Sequence, residues 1–454
     1  MSLATLPLEI IDIIIDDIHD QPLSLKSCAL TFRNFRPQAQ KHLFATIRII
    51  FPYKSTRHAG QALLDVFVNH PELGNYVQNL YLKDYFEGVW DTDKQIFCRV
   101  TDEVLPRLFK HFCSLKRFSL DGAVALTRSR MLTDSAYLND LSPPLTSALF
   151  QMFRANQVAE ISFEYIMNFP LGYIAMTCPR LKTLSIANMD SFSPLDDDIM
   201  YDLALDIVDR EGSHKLPIKG ATATGQLEVL HFDDASQSTI KKFYEYSVLP
   251  SSRLTLSRLR NLVLHGHRQT MRDIAGAIIT SAASSLEHFL WDHNFYLVFF
   301  AQSDRPWNHY TPPNSTVSEV LTAIRAHNNL EELVLVLSCE FADMEIHQWD
   351  EVGEWAAEFD SLLTSQGFGR LHRVAIFVDL SDHEPENPLP VDDFVFVTER
   401  LEAQLPLLRD AGILSIQWAF NEHLQGTLEF PGVMDQEAAE GVVIRRDSQE
   451  PIWY

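Results

Sequence analysis

The sequence predicts an α/β chain: three short N-terminal helices, then an irregular solenoid built on a parallel sheet. Three observations carry this. Residues 7–44 hold three apolar-periodic runs, joined by short polar turns and each about ten residues long. Beyond residue 50 a six-residue pattern, L-x-x-L-x-L or a close variant, recurs nine times. Helical patterns stand just upstream of several of these units, so the order helix, turn, strand repeats in one direction. The expected division is 1–50 for the helical module, 51–420 for the solenoid and 421–454 for a tail or cap.

The first helix is written in LPLEIIDIIIDDI, from Leu6. Pro7 suits a helix start, where its missing N–H costs nothing, and Glu9 lies in the first turn, where the helix dipole favours an anion. At 100° per residue, Leu8, Ile10, Ile11, Ile13, Ile14, Ile15 and Ile18 cover an arc of roughly 220°, about twice what one core requires. Glu9, Asp12 and Asp16 fill the remaining side. Such a helix needs two partners, one within its own module and one beyond it. A second run, with Leu23, Leu25, Cys28, Ala29, Leu30 and Phe32, ends near Asn34, and Pro37 opens a third containing Ala39, Leu43 and Phe44. Helices this short bury too little to stand alone, which marks the segment as a docking module. The competing reading is a helical cap closing one end of the solenoid.

These residues resemble a known family. L-P-x-E-I at Leu6 to Ile10, L-x-x-C-x-L at Leu25 to Leu30 and R-x-F-x-P-x-A-x-x-H-L-F at Arg33 to Phe44 are similar to an F-box, with the closest likeness to the F-box proteins of mushroom-forming fungi. The resemblance implies binding to a Skp-type adaptor, and through it to a cullin and a RING subunit in a ubiquitin ligase. It implies that Leu6, Pro7, Ile10 and Ile14 face the adaptor, with Leu25, Cys28 and Phe35 supporting or extending that surface. Phe35 stands where many members have Trp, and Thr31 where an aliphatic residue is common.

The nine repeat units begin at Val77, Leu115, Val158, Leu181, Leu227, Leu259, Leu286, Leu330 and Leu371. The last two apolar positions of each alternate as a strand does. Helices are expected upstream at Ala62 to Asn69, Glu103 to Phe112, Ser147 to Arg154, Val317 to Ala326 and Val352 to Thr364. Together these are the signature of a leucine-rich-repeat-like solenoid, although the intervals run from roughly 23 to 46 residues and most exceed the regular 20 to 29. The alternative is an irregular α/β domain with helices on both faces of one sheet. Insertions fall at Met189 to Gly225 and Trp291 to Thr316, an exposed acidic loop at Ser381 to Asp393, a further helix at Phe394 to Arg409 and a last strand at Ile413 to Ala419. C-P-x-L-K-x-L-x-I at Cys178 resembles the repeats found behind F-boxes, and Cys178 reads as a small buried residue.

Composition excludes several classes of function. The chain has 454 residues with 37 Lys and Arg against 61 Asp and Glu, a formal net charge of -24, and no clustered basic run. A nucleic-acid surface and an anionic membrane surface are both disfavoured. Five scattered cysteines without a C-x-x-C pair argue against a disulfide framework or a structural zinc. No secretory leader pattern or bilayer-length apolar run appears, so the expectation is a soluble protein of the cytoplasm or nucleus.

The sequence carries no nucleophile elbow, phosphate-binding glycine loop or H-E-x-x-H motif, and no cofactor is expected. His265, His267, His288 and His293 lack a carboxylate or cysteine at ligand spacing and read as structural. Aromatic residues concentrate around Trp291, with Phe295, Tyr296, Phe299, Phe300, Trp307 and Tyr310. Such residues are the anchors that carry interface energy, so Trp291, Trp307 and Tyr310 are candidate partner-binding residues. Phe295 to Phe300 reads better as a buried strand. The reading is a non-catalytic substrate adaptor whose acidic repeat region takes an unidentified protein, favouring a basic one. An F-box-like interaction scaffold acting outside a ligase stays open beside it.

Overall fold

The computed structural model describes residues 7–51, 58–85, 88–91, 96–99, 101–122, 141–156, 158–166, 169–187, 189, 225–233, 237–250, 252–265, 272–292, 297–298, 314–326, 328–340, 352–379, 398–399 and 401–419. Leu6, Trp307, Tyr310, the aspartates at 196–198 and the tail from 421 lie outside these residues. The chain is α/β with parallel strand pairing, and it divides into two compact units, Met1–Leu256 and Ser257–Tyr454. The division falls well beyond residue 50, because the N-terminal helices belong to the same unit as the sheet that follows them.

In the first unit α1 (Leu8–Asp17), α2 (Pro22–Thr31) and α3 (Arg36–Ala45) lead directly into β1 (Thr46–Ile50). After α4 (Gln61–Asn69) come β2 (Asn79–Tyr85), an antiparallel pair β3 (Gly88–Asp91) and β4 (Ile96–Arg99), and α5 (Val104–Phe109). The chain continues through β5 (Arg117–Gly122), α6 (Pro143–Ala155), β6 (Glu160–Glu164), α7 (Gly172–Thr177) and β7 (Thr183–Ala187). The unit ends with β8 (Gly225–Gln226), β9 (Val229–Asp233), α8 (Gln237–Ser247) and β10 (Leu254–Thr255), with β8 and β10 paired to each other.

The repeat pattern dictates the register. Strands β1, β2, β5, β6, β7 and β9 lie in sequence order, all parallel. Leu80, Phe118, Ile161, Leu184 and Leu230 fall in one row across them, and Leu82, Leu120, Phe163, Ile186 and Phe232 in the next. Ile47 and Ile49 extend both rows into β1, a strand the repeat pattern did not announce. Every residue of the two rows is buried, while their outward neighbours Tyr81, Ser119, Ser162 and Ser185 are partly exposed, so this sheet is covered on one face. Beneath it the helices contribute Leu105, Leu108, Leu149, Phe150, Phe153 and Phe243, and the rings interlock, with Phe118 centred 5.2 Å from Phe153 and Phe163 4.3 Å from Phe169. At the turn into β6, Asn156 accepts from the Leu115 N–H and donates to the Phe112 and Met152 carbonyls, tying one helix-to-strand turn to its neighbour.

The second unit comprises β11 (Asn261–His265), α9 (Arg272–Ala282), β12 (His288–Asp292), β13 (Leu297–Val298), α10 (Asn314–Ile324), β14 (Glu332–Glu340), α11 (Val352–Leu363), β15 (Arg373–Asp379), α12 (Pro406–Asp410) and β16 (Leu414–Ala419). Its strands are again parallel, with Leu264, Trp291, Leu335, Ile376 and Ile416 in one row. Here both faces of the sheet are buried. Leu290, Val334, Val336, Ala375 and Phe377 point away from that row and form a second core with Val263 packed against it. This departs from the one-faced solenoid, and it agrees with the unbroken run Leu333 to Leu337, the pattern of a strand buried on both sides.

Two expected elements differ. The helix expected over Phe394 to Arg409 is interrupted at Leu405, because Pro406 has no N–H to continue the ladder and instead starts α12. The buried Asp360 carboxylate accepts from the N–H groups of Leu407 and Leu408 at 2.8 Å each, capping that new start. Asn314, within the insertion expected at Trp291 to Thr316, opens α10.

Candidate functional site

The candidate site is the N-terminal three-helix module, whose core is Ile11, Ile15, Leu25, Phe35 and Ala39, with Ile18, Cys28, Ala29, Phe32 and Leu43 packed at its margin. Helix α1 turns only one side inward. Ile11 and Ile15 are fully buried, whereas Leu8, Ile10, Ile13 and Ile14 are 58%, 43%, 63% and 42% exposed. The over-wide apolar arc of the sequence is thus divided between an occupied face and an open one. Burying the open face would remove several isoleucine side chains from water, each worth about 1.5–3 kcal/mol when buried in full.

Of the residues that the resemblance assigns to the adaptor surface, Pro7, Ile10 and Ile14 are exposed. Leu25 and Phe35 are 2% and 8% exposed and belong to the core, so they hold α1 in place and offer no surface themselves. Cys28 is half-buried against that core. Ile13, the most exposed of the four apolar residues on α1, was not singled out from the sequence, although the 100° rotation per residue sets it on the same face as Ile10 and Ile14. Thr31 is exposed, and its hydroxyl donates to the Ser27 carbonyl at 2.6 Å.

The acidic strip of α1 is more than a solvated face. Asp16 accepts from Gln38 Nε2 and from His42 Nε2, each at 2.6 Å, which clamps the end of α1 to α3. The Gln38 and His42 hydrogen bonds hold its carboxyl below the usual range. His19 Nδ1 lies 2.8 Å from the Asp16 carbonyl, closing the helix end. The module has no linker to the sheet: α3 ends at Ala45, β1 starts at Thr46, the Gln78 N–H donates to the Ala45 carbonyl at 2.9 Å, and the Phe44 ring sits 6.2 Å from Phe67.

The outward face of the first unit's sheet is the other surface available to a partner. Arg48, Tyr81, Ser119, Ser162, Ser185 and His231 share one row of the register. Asp121 lies one row on, in register with Glu164. Burial, then the nearby Glu164 and Asp84, push the Asp121 carboxyl up to about 7, and its Oδ1 is buried without a hydrogen-bond partner.

Trp291 is a correction. It is 4% exposed, its ring lies tilted 5.5 Å from that of Phe289, and it occupies the last inward position of its own repeat unit, so it is core and not an anchor. Trp307 and Tyr310, like Phe295, Tyr296, Phe299 and Phe300, lie outside the described residues, while Leu297 and Val298 between them pair with β14. His288 is structural: its Nδ1 is 3.3 Å from Glu332 Oε2, and Glu332 also binds Arg373. Burial works against the Glu332 carboxylate, but the His288 hydrogen bond and the Arg373 charge outweigh it and keep its pKa low. Cys178 is 1% exposed, and burial pushes its thiol up to about 12, which makes it inert.

Among the described residues no three His, Cys, Asp or Glu side chains come together to hold a metal ion, and no helix is long and apolar enough to cross a membrane. No protein-family model matches the chain, and no curated protein is similar to it.

Proposed function

We propose that the chain is a substrate adaptor of a Skp, cullin and F-box ubiquitin ligase, with α1 docking a Skp-type adaptor and the repeat region taking a protein substrate. The observation that carries this is the open isoleucine face of α1, Ile10, Ile13 and Ile14, on a three-helix module whose inner face is already filled. Three exposed isoleucines side by side on one helix form the kind of apolar patch that a partner covers. The motif resemblance at Leu6 to Ile10, Leu25 to Leu30 and Arg33 to Phe44 supports the identity of that partner.

In this reading the first unit is a leucine-rich-repeat-like solenoid, supported by strands in sequence order and the two repeating apolar rows. The polar outward face, from Arg48 to His231, is where a substrate is held. Catalysis is by proximity: a bound protein is kept near a conjugating enzyme at high effective concentration, with no bond made or broken by this chain.

The test is co-purification. Ile10→Asp and Ile14→Asp together should remove both the Skp-type adaptor and the cullin from the material recovered with the full chain. Unchanged recovery of both refutes the reading. Recovery of the adaptor without a cullin favours the interaction scaffold outside a ligase.

A further inference from the structure

Asp17 has a placement that local stability does not account for. Viewed down α1 at about 100° per residue, it falls between Ile13 and Ile10, in the middle of the open apolar face. It is the last residue of the helix, where the dipole disfavours an anion, and no basic residue stands in that last turn. Asp16, its neighbour in the same unfavourable position, is compensated by Gln38 and His42. Asp17 is exposed and has no ion-pair partner among the described residues. His19, the nearest titratable side chain beyond it, turns back to the Asp16 carbonyl.

An apolar stripe with one uncompensated carboxylate at its centre fits an apolar groove that contains one cation. Covering the stripe with a purely apolar surface would desolvate Asp17 without compensation, which opposes docking. We infer that the surface receiving α1 presents a lysine or arginine opposite Asp17, so that this carboxylate selects the partner at the expense of the free chain's stability. The inference rests on the docking reading above and adds to it the charge chemistry of the partner's groove. Asp17 is exposed in the free chain, where its charge also steers encounter with a basic partner.

The experiment titrates a purified Skp-type adaptor with the full-length chain by calorimetry, at about 50 mM and about 500 mM salt, where screening differs several-fold. Asp17→Asn should weaken binding about threefold at low salt and match the wild type at high salt. Asp17→Lys should weaken it about tenfold at low salt, and both variants should melt no lower than the wild type because the charge at the helix end is relieved. Wild-type affinity for both Asp17 variants at both salts, with Ile14→Asp still abolishing binding, overturns the inference and leaves docking intact. Full binding by Ile14→Asp instead removes the docking reading itself. A wild-type chain that sediments as a dimer, converted to monomer by Ile13→Asp, assigns the stripe to a second copy and overturns the inference.

Discussion

Removing the carboxylate of Asp102 tests how the first unit holds its helices against the sheet. Asp102 is 7% exposed and precedes α5. Its Oδ1 accepts from the N–H groups of Val104 and Leu105 at 2.8 and 2.9 Å, two donors of the first helical turn that have no intrahelical acceptor. Its Oδ2 accepts from His58 Nε2 at 2.9 Å and from the Tyr85 hydroxyl at 3.2 Å. The tautomer of His58 follows, since the Gly60 N–H donates to Nδ1 at 3.0 Å and leaves Nε2 to carry the proton. Burial works against the carboxylate, but these hydrogen bonds outweigh it and lower its pKa.

Asp102→Ala strands four donors. Two helix-cap N–H groups and two side-chain donors around a buried site give a loss of about 3 kcal/mol, allowing for water to rescue some of them. Asp102→Asn keeps an acceptor for the two amides but turns an NH₂ toward two donors, for a loss of about half as much. Hydrogen exchange on peptides spanning residues 101–112 is the assay, because it reads local opening without requiring the whole chain to unfold reversibly. For Asp102→Ala the opening equilibrium should rise by roughly a hundredfold, and for Asp102→Asn by roughly tenfold. Less than a threefold change for the alanine variant would refute the reasoning.

Gly74→Ala should destabilise the first unit by about 2–4 kcal/mol, since an added Cβ would sit 2.1 Å from the His111 carbonyl oxygen and the backbone would have to move; its melting temperature checks this. Asp121 titrates oppositely to a salt-bridged carboxylate. Its folded pKa is raised, so its contribution is fully present below pH 3.8 and lost as pH rises through about 7, and Asp121→Asn should stabilise the chain by about 1–2 kcal/mol at pH 8 with little effect at pH 4, read by denaturant midpoints. Alkylation of the native chain should label Cys113, which is exposed, and leave Cys178 intact until the protein unfolds, as mass spectrometry of the two peptides will report.

Legibility from sequence followed the strength of the periodicity. The nine repeat units each became a strand because their apolar positions alternate at a period of two and follow a helix, and the strand read at Ile413 to Ala419 is β16. β1 was hidden by its position, since Ile47 and Ile49 alternate correctly but follow a helix without any turn signal. The β3–β4 pair was missed because each arm is four residues long, too short for a period to declare itself. The two-sided core of the second unit shows in the continuous run at Leu333 to Leu337, whereas the repeat template weighs only every second residue. At the candidate site the arc of α1 was legible, and the clamp was not. Asp16, Gln38 and His42 are distant in sequence, and only the crossing of α1 and α3 brings them together.

The junction at Ala45 and Thr46 sets what a docked complex can do in space. A flexible tether would let its cargo sample a volume growing with linker length. Here, one residue is the last of a helix and the next the first of a strand, and the Gln78 bond to Ala45 and the Phe44–Phe67 contact pin the join from two sides. Whatever seats on α1 therefore acquires a fixed bearing relative to the first strands of the sheet, as on a bracket and not on a leash. If the ligase reading proposed above holds, lysines of a target lying outside that bearing would go unreached however tightly the target bound, and a short glycine insertion at this join would trade aim for reach.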